Sequence, residues 1–269
     1  MDEQVRRGDD VAYFFSGRQY PLARGPRMRR WERGGVSMFE VVNSPLYDHG
    51  KQPDLEMGEP RIEELFRTSL RDFRPDAVHL QELAGLPFSL LDVVGEAGTP
   101  AIVTLQDYFF LCSTFKLIDA GGQVCLRRQI GADCMATTNA DQREPGLMVH
   151  STVVHELRGI RVVRRANRSL DPIYWQIADT LSRWEATRRG RRRRAATPET
   201  FQRRRDTNIE RLSRADCVIA MSRRVAEIHT QLGVAPGRMR TLQLTLRHIE
   251  RLRPRRASGQ APVTFATLA

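Results

Sequence analysis

Short runs of β-branched and aromatic residues alternate along the chain with segments in which apolar residues recur every three or four positions. The runs are typical of buried strands, and the three-to-four spacing is typical of helices that pack on a sheet. The pattern predicts strands at residues 10–15, 37–42, 76–81, 100–105, 216–221 and 239–244. Strands and helices in alternation indicate an α/β fold with a Rossmann-like, doubly wound parallel sheet.

The connection between the third and fourth predicted strands forms a compact strand–helix–strand unit. Helical spacing places Phe88, Leu91 and Val94 on one face of its helix. Gly98 is suited to the left-handed conformation at the end of a helix. The unit therefore predicts that the two strands it joins are parallel neighbours.

A second unit of this kind joins the last two predicted strands. Ser222 has a side chain suited to cap the amino terminus of its helix, and Gly233 is suited to end it. The turn at residues 235–237 then returns the chain to the sheet. These two strands are also expected to be parallel.

The region between the two units is predicted as a helical insertion, residues 135–213, because it is rich in arginine and its pattern predicts two to four helices. Charge is divided unevenly along the chain: residues 1–126 carry a net charge of −5, and residues 127–269 carry +16. Segment 158–205 alone contains 15 arginines and four acidic residues. Such clustering indicates either binding to an anionic partner or a solvated face.

An anionic membrane surface is the partner expected for the densest part of this segment. Its arginines are Arg188, Arg189, Arg191, Arg192, Arg193 and Arg194. Each basic residue close to an anionic lipid surface adds about 1 kcal/mol of binding. Nucleic acid offers the same charge, but few aromatic residues that stack on bases surround the cluster, so nucleic acid is the less favoured partner.

No apolar run approaches the roughly 20 residues that a membrane-spanning helix needs. The amino terminus also lacks the apolar core of a signal peptide. We therefore expect a cytoplasmic protein, peripheral at the inner face of the membrane if the arginines bind lipid.

The four cysteines, Cys112, Cys125, Cys134 and Cys217, have irregular spacing that is typical of reduced thiols in a chain of this length. Three of them lie close enough in sequence to suggest zinc ligands, but no Cys-x-x-Cys pair is present. Neither a metal site nor a cofactor is expected.

Polar side chains follow two consecutive predicted strands where each strand ends. His79, Gln81 and Glu82 lie at the end of the third strand, and Gln106 and Asp107 follow the fourth. The carboxyl ends of parallel strands form the crevice in which open α/β sheets bind ligands. Each residue alone is as well explained by a turn cap or a core histidine, but two polar strand ends together favour a site that binds hydroxyl groups.

Residues 74–112 and 215–244 resemble the N-terminal domain of retaining glycosyltransferases of the GT-B fold, the large family numbered four. In that family, a strand that ends in histidines is followed by a Thr-Leu-His-Asp-Tyr-like turn, an aromatic run and a cysteine. The matching residues are Thr104, Leu105, Asp107, Tyr108, Phe110, Leu111 and Cys112. The later strand resembles a valine-isoleucine-alanine-serine step that places Ser222 at the edge of the cleft.

The resemblance implies transfer of a sugar from a nucleotide-sugar donor to a glycan or lipid-linked acceptor, in the synthesis of a cell-envelope polysaccharide. It assigns catalytic positions to Gln106 and Asp107 and acceptor-binding positions to His79, Gln81, Glu82, Tyr108 and Ser222. Gln106 stands where the family usually has histidine. An amide forms hydrogen bonds but does not titrate, so only the orientation of a hydroxyl group is expected from this position.

The resemblance assigns residues 1–246 to the acceptor-side domain, and residues 247–269 to a linker and the first strand of a C-terminal donor-binding domain. It also implies that a central first strand with its glycine-rich loop, and the rest of the donor-binding domain, are missing. The chain alone is then not expected to transfer sugar, because both substrates must be held in reacting geometry. Two other functions stay open: a non-catalytic remnant or binding module, suggested by Gln106, and a nucleic-acid-binding protein, suggested by the arginine cluster.

Overall fold

The structure, a computed structural model, describes residues 1–20, 25–46, 52–119, 121–134 and 196–242. Its α-helices are α1 (Asp2–Arg6), α2 (Pro53–Met57), α3 (Pro60–Phe73), α4 (Leu90–Glu96), α5 (Pro198–Arg214) and α6 (Arg223–Gln231). Its strands are β1 (Val11–Ser16), β2 (Arg27–Arg33), β3 (Val36–Val42), β4 (Val78–Leu80), β5 (Ala101–Leu105), β6 (Cys217–Ala220) and β7 (Met239–Thr241). The α/β class is therefore confirmed.

The strands of the described residues form two sheets. The first has the order β1-β3-β2, with β1 parallel and β2 antiparallel to β3. The second has the order β4-β5-β6-β7 and is parallel throughout. All six predicted strands are present. The structure differs from the prediction in dividing them between two sheets and in adding the antiparallel β2.

The parallel sheet is built around β5, whose alternate residues Ala101, Val103 and Leu105 are buried. On one side Leu80 of β4 lies opposite Val103, and on the other Ala220 of β6 lies opposite Leu105. Because these strands are parallel, their carboxyl ends lie along one edge of the sheet. The polar residues that follow β4, β5 and β6 are therefore neighbours, as the sequence predicts.

Both predicted crossover helices are confirmed, as α4 and α6. Gly98, just beyond α4, has φ of +66°, and Gly233, just beyond α6, has φ of +115°. Glycine adopts this left-handed conformation without a steric penalty, and so it ends each helix. At the start of α6, the Ser222 hydroxyl accepts a hydrogen bond from the Val225 N–H at 3.2 Å.

The mixed sheet has a buried central strand and an exposed edge. β3 is buried from Phe39 to Val42, whereas β2 is mostly exposed and contains four arginines. α3 packs on one face of this sheet, where the rings of Phe66 and Phe14 lie 4.8 Å apart. Neither β2 nor α3 has a counterpart among the predicted elements.

α5 belongs to the core of the domain. It begins after a side-chain cap from Thr197, buries Phe201 and Leu212, and leads into β6. The predicted insertion extends to residue 213 and therefore includes nearly all of α5. The prediction of an insertion is wrong for this part, because α5 is a packed crossover helix of the α/β layer.

The rest of the predicted insertion, residues 135–195, lies outside the described residues, as do the predicted linker and strand at 247–269. The arginines predicted to bind an anionic surface, Arg188, Arg189 and Arg191 to Arg194, fall in that range. In the part of the chain that is described, no helix has both the length and the apolar character needed to cross a bilayer.

Candidate functional site

The ends of β4 and β5 are joined by two side-chain hydrogen bonds. The Gln106 amide donates from Nε2 to Oε1 of Gln81 at 3.3 Å. Two residues earlier in each strand, Nε2 of His79 lies 2.7 Å from the hydroxyl of Thr104. The structure therefore brings together the two strand ends that the sequence singles out.

His79 and Glu82 lie at the same edge, and both side chains are exposed. Although His79 is exposed, the protein atoms around its ring disfavour the charged imidazolium and lower its pKa. A neutral His79 has one ring nitrogen that donates and one that accepts, so it can exchange hydrogen bonds with Thr104 and with a hydroxyl group.

Asp107 begins the turn that follows β5. Its Oδ1 accepts a hydrogen bond from the Phe109 N–H at 2.8 Å, so the carboxylate caps its own turn. Burial raises the pKa of Asp107, against the opposing effects of this N–H and of the Arg204 guanidinium. The cap accounts for one carboxylate oxygen, and a carboxylate has further acceptor capacity on the second.

Tyr108 is turned toward α6. Its ring stacks on His229 with centroids 5.5 Å apart and an angle of 23° between the planes. His229 is fully buried and contacts the Val225 carbonyl through Nδ1 at 2.8 Å, while Nε2 has no hydrogen-bond partner among the described residues. Burial lowers the pKa of His229. The ring of Tyr108 thus anchors the turn as well as lying next to the predicted site.

Ser222 follows β6, one strand beyond Gln106. Ser222 lies two residues beyond Ala220, which pairs with Leu105 at the carboxyl end of β5. Its hydroxyl accepts from the Val225 N–H as the cap of α6. The cap leaves the hydroxyl proton of Ser222 to donate to another group.

Three buried side chains of α5 hold the turn after β5 by its backbone. Arg204 donates to the carbonyl of Phe109 at 2.7 Å, Asn208 to that of Phe110 at 3.1 Å, and Arg205 to that of Leu111 at 2.6 Å. Three consecutive carbonyls are satisfied in this way. We call Arg204, Arg205 and Asn208 the α5 clamp.

The α5 clamp is itself fixed by charge. Arg204, 1% exposed, forms an ion pair with the buried Glu56 of α2, and its guanidinium lies 4.8 and 4.7 Å from the ring centres of Phe88 and Phe109. A buried guanidinium is tolerated only when a carboxylate, carbonyl groups or ring faces compensate its lost hydration. All three kinds of partner are present here.

The sequence analysis does not predict the α5 clamp, because it assigns the arginines of this segment to the surface. The signal was nevertheless present. Phe201, Arg204, Arg205, Asn208 and Leu212 recur at helical spacing, so they form the inward face of α5 once charged residues are allowed on it.

Two open depressions in the protein surface, of about 530 and 590 Å³, lie away from this site, at the opposite, amino-terminal edge of the parallel sheet. The first is lined by Asp92, Arg211 and Asp216 among others, and the second by Arg67, Arg71 and Glu96. Arg211 pairs with Asp92 across the first depression and Arg67 with Glu96 across the second, which is typical of structural contacts.

The edge of the parallel sheet therefore presents amide, imidazole, carboxylate and hydroxyl groups suited to hydroxyl-rich ligands. Among the described residues, no group of three or more His, Cys, Asp and Glu side chains is arranged to hold a metal ion. Comparison with known proteins yields no assignment: no family model matches the chain, and no curated protein or solved structure matches it.

Proposed function

We propose that the chain is the acceptor-side domain of a nucleotide-sugar-dependent glycosyltransferase with the GT-B architecture. In this proposal, the carboxyl edge of the parallel sheet binds a hydroxyl group of a glycan or lipid-linked acceptor. The sugar comes from a nucleotide-sugar donor held by a second domain. The proposal rests on the sequence resemblance of residues 74–112 and 215–244 together with the geometry of this edge.

The observation that carries the proposal is the pairing of Gln81 with Gln106. Two amides linked at 3.3 Å leave the second amide proton of Gln106 and the amide group of Gln81 directed to other partners. His79 and Glu82 stand beside them and are exposed. Such a row offers both donors and acceptors, as recognition of a sugar hydroxyl requires.

Asp107 has the role of accepting a hydrogen bond from the acceptor hydroxyl. Its carboxylate is partly desolvated, its pKa is raised, and the α5 clamp holds the turn on which it stands. A carboxylate with a raised pKa accepts a proton more readily, which suits a group that activates a hydroxyl. Gln106 orients the same hydroxyl and does not carry a proton.

Under the proposal, the reaction takes place on the cytoplasmic side of an envelope membrane, near which Arg188, Arg189 and Arg191 to Arg194 would hold the domain.

Binding of glycans tests the acceptor role directly. Saturation-transfer difference NMR on the 269-residue chain would be run with glucose-, mannose- and N-acetylglucosamine-terminated oligosaccharides and with a polyprenyl-phosphate disaccharide. We expect at least one of these to bind, and we expect binding to fall in the Gln81→Ala and Gln106→Ala variants. Gln123→Ala, at an exposed position outside the site, is the matched control and should bind as the wild type does.

If none of these glycans binds, or if Gln123→Ala and Gln106→Ala weaken binding equally, the acceptor site is not at this edge. A transfer assay separates the enzyme from a plain binding module. The chain alone should bind acceptor without turning over nucleotide sugars. Turnover by the purified chain that Asp107→Ala abolishes would contradict the assignment of donor binding to a second domain.

A further inference from the structure

Two arginines, Arg127 and Arg205, lie near the three cysteines Cys112, Cys125 and Cys134. Burial lowers the pKa of Arg205, and the nearby thiols of Cys112, Cys125 and Cys134 act in the opposite direction. Arg205 donates to the Leu111 carbonyl, next to Cys112, and to the Arg127 carbonyl at 2.7 Å. The α5 clamp therefore also holds the segment that carries the other two cysteines.

Cys125 and Cys134 contact the same guanidinium. Nε of Arg127 lies 3.4 Å from Sγ of Cys125, and its Nη2 lies 3.6 Å from Sγ of Cys134. Asp133 fixes Nη2 of the same arginine at 2.6 Å. One permanent positive charge therefore contacts two sulfur atoms that are nine positions apart in the chain.

The loop that carries these thiols is anchored but accessible. Gln202 of α5 accepts from the Ile130 N–H at 2.8 Å, and Arg128 donates to the Gln231 carbonyl at 3.1 Å. The Arg127 side chain is 47% exposed, and both cysteines are partly exposed. Both cysteines are therefore partly open to solvent, and both sulfur atoms lie within 3.6 Å of the same guanidinium.

The Arg127 guanidinium places N–H groups against both sulfur atoms, and the thiolate is the form of cysteine that attacks peroxides and disulfides. We propose that Cys125 and Cys134 are a peroxide-reactive thiol pair that closes a reversible disulfide under oxidation. This inference is independent of the proposed function, and the oxidant is hydrogen peroxide.

The chemistry balances in two steps. The thiolate of one cysteine attacks a peroxide oxygen: an S–O bond forms, the O–O bond breaks, and the departing hydroxide takes up a proton to leave as water. The second thiolate then attacks the sulfenic sulfur: an S–S bond forms, the S–O bond breaks, and a second hydroxide takes up a proton and leaves as water. Overall, two thiols are oxidised and one peroxide is reduced to two waters.

Peptide mapping of the reduced full chain after graded hydrogen peroxide tests the proposal. We expect an intramolecular Cys125–Cys134 disulfide to accumulate before any modification of Cys217, which lies on β6 instead of in this loop and serves as the internal control. The Cys134→Ser variant should stop at the sulfenic acid on Cys125, which dimedone traps. Dithiothreitol should restore both thiols in the wild type.

The variant Arg127→Gln removes the shared cation and is expected to slow disulfide formation by about tenfold. Arg224→Gln is its matched control, because Arg224 is an exposed arginine of α6 that pairs with Glu227 and contacts neither sulfur atom in the described contacts. Thermal unfolding of both variants verifies that the loop remains folded. The proposal is overturned if Cys217 reacts as fast as Cys125, if no Cys125–Cys134 disulfide forms, or if the two arginine variants react at the same rate.

Discussion

Helix α5 and strand β2 are both rich in arginine, but they use it in opposite ways. In α5, Arg204 and Arg205 are 1% and 3% exposed and bind carbonyl groups and a carboxylate inside the domain. In β2, Arg27, Arg29 and Arg30 are exposed along an edge strand. Arg30 pairs with Asp72 of α3 at 2.5 Å, and the two side chains are 46% and 44% exposed.

An element that is rich in arginine can therefore hold its arginines either in the interior, as α5 holds Arg204 and Arg205, or at the surface, as β2 does. The α5 arginines fix the turn that carries Asp107 and Tyr108, so they support the candidate site. The β2 arginines put charge on the strand that forms an edge of its sheet within the described residues, and charge on an edge strand hinders pairing with other chains. Buried and exposed arginine–carboxylate pairs should therefore differ widely in their contribution to the free energy of unfolding.

The largest effect is expected from breaking the buried pair. Arg204→Met leaves Glu56 buried without its cation and should lower the free energy of unfolding by about 3–5 kcal/mol. Equilibrium urea unfolding followed by circular dichroism measures this loss. Arg203→Met on the exposed side of α5 is the matched control and should stay near the wild-type value. A loss below that of Arg203→Met would mean that Arg204 is not compensated as described.

A smaller effect is expected where one carbonyl loses its donor. Asn208→Ala leaves the buried Phe110 carbonyl unsatisfied and should lower the free energy of unfolding by about 1–3 kcal/mol. Because that carbonyl belongs to the turn after β5, amide NMR shifts should change at Asp107 and Tyr108. Unchanged shifts in this turn would show that the α5 clamp does not position it.

The free energy of unfolding should depend on pH through the buried His229. Its pKa is lowered by burial, so the unfolded chain binds this proton at a higher pH than the folded chain does. Stability should therefore be retained above about pH 6.5 and fall as pH decreases from there toward the lowered pKa. Urea midpoints measured at a series of pH values test this.

His229→Phe, which keeps a ring against Tyr108, should flatten the decline in that pH window. His79→Phe at the exposed strand end is the control, and it should remove less of the decline because His79 is partly solvated. A decline that persists unchanged in His229→Phe would assign the proton to another group.

The smallest effect is expected at the exposed pair of β2. Arg30→Gln should change the free energy of unfolding by no more than about 1 kcal/mol, because solvent and salt screen the pair with Asp72. At high salt, the difference in unfolding free energy between Arg30→Gln and the wild type should become smaller still. An effect as large as that of Arg204→Met would remove the contrast between the two elements.

The sequence predicted the elements with strong periodicity and specific ends. β4, β5 and β6 are short apolar runs, and α6 has both a serine cap and a terminal glycine, so these elements lie close to where they were expected. β2 was missed because the segment Arg-Met-Arg-Arg-Trp-Glu-Arg has no buried face of its own. α3 begins with a glutamate cap at Glu59, an unusual residue for this position, which concealed its start.

The candidate site was predictable in outline because parallel strands share a carboxyl edge, whatever the details of their packing. For the α5 clamp, helical spacing marks the inward face of the helix, but it does not show what that face contacts. The burial of Arg204 depends on Glu56, which lies 148 positions away in sequence. The side on which the Tyr108 ring packs depends in the same way on His229, and partners at this distance are decided by tertiary packing.

The acceptor site is tested most directly by following the side-chain amides of Gln81 and Gln106 by NMR during a titration with a glycan that binds. We expect both amide signals to shift together and to saturate at one concentration, while the amide of Gln123 does not move. Saturable shifts confined to residues away from β4 and β5, with Gln81 and Gln106 unchanged, would contradict this expectation.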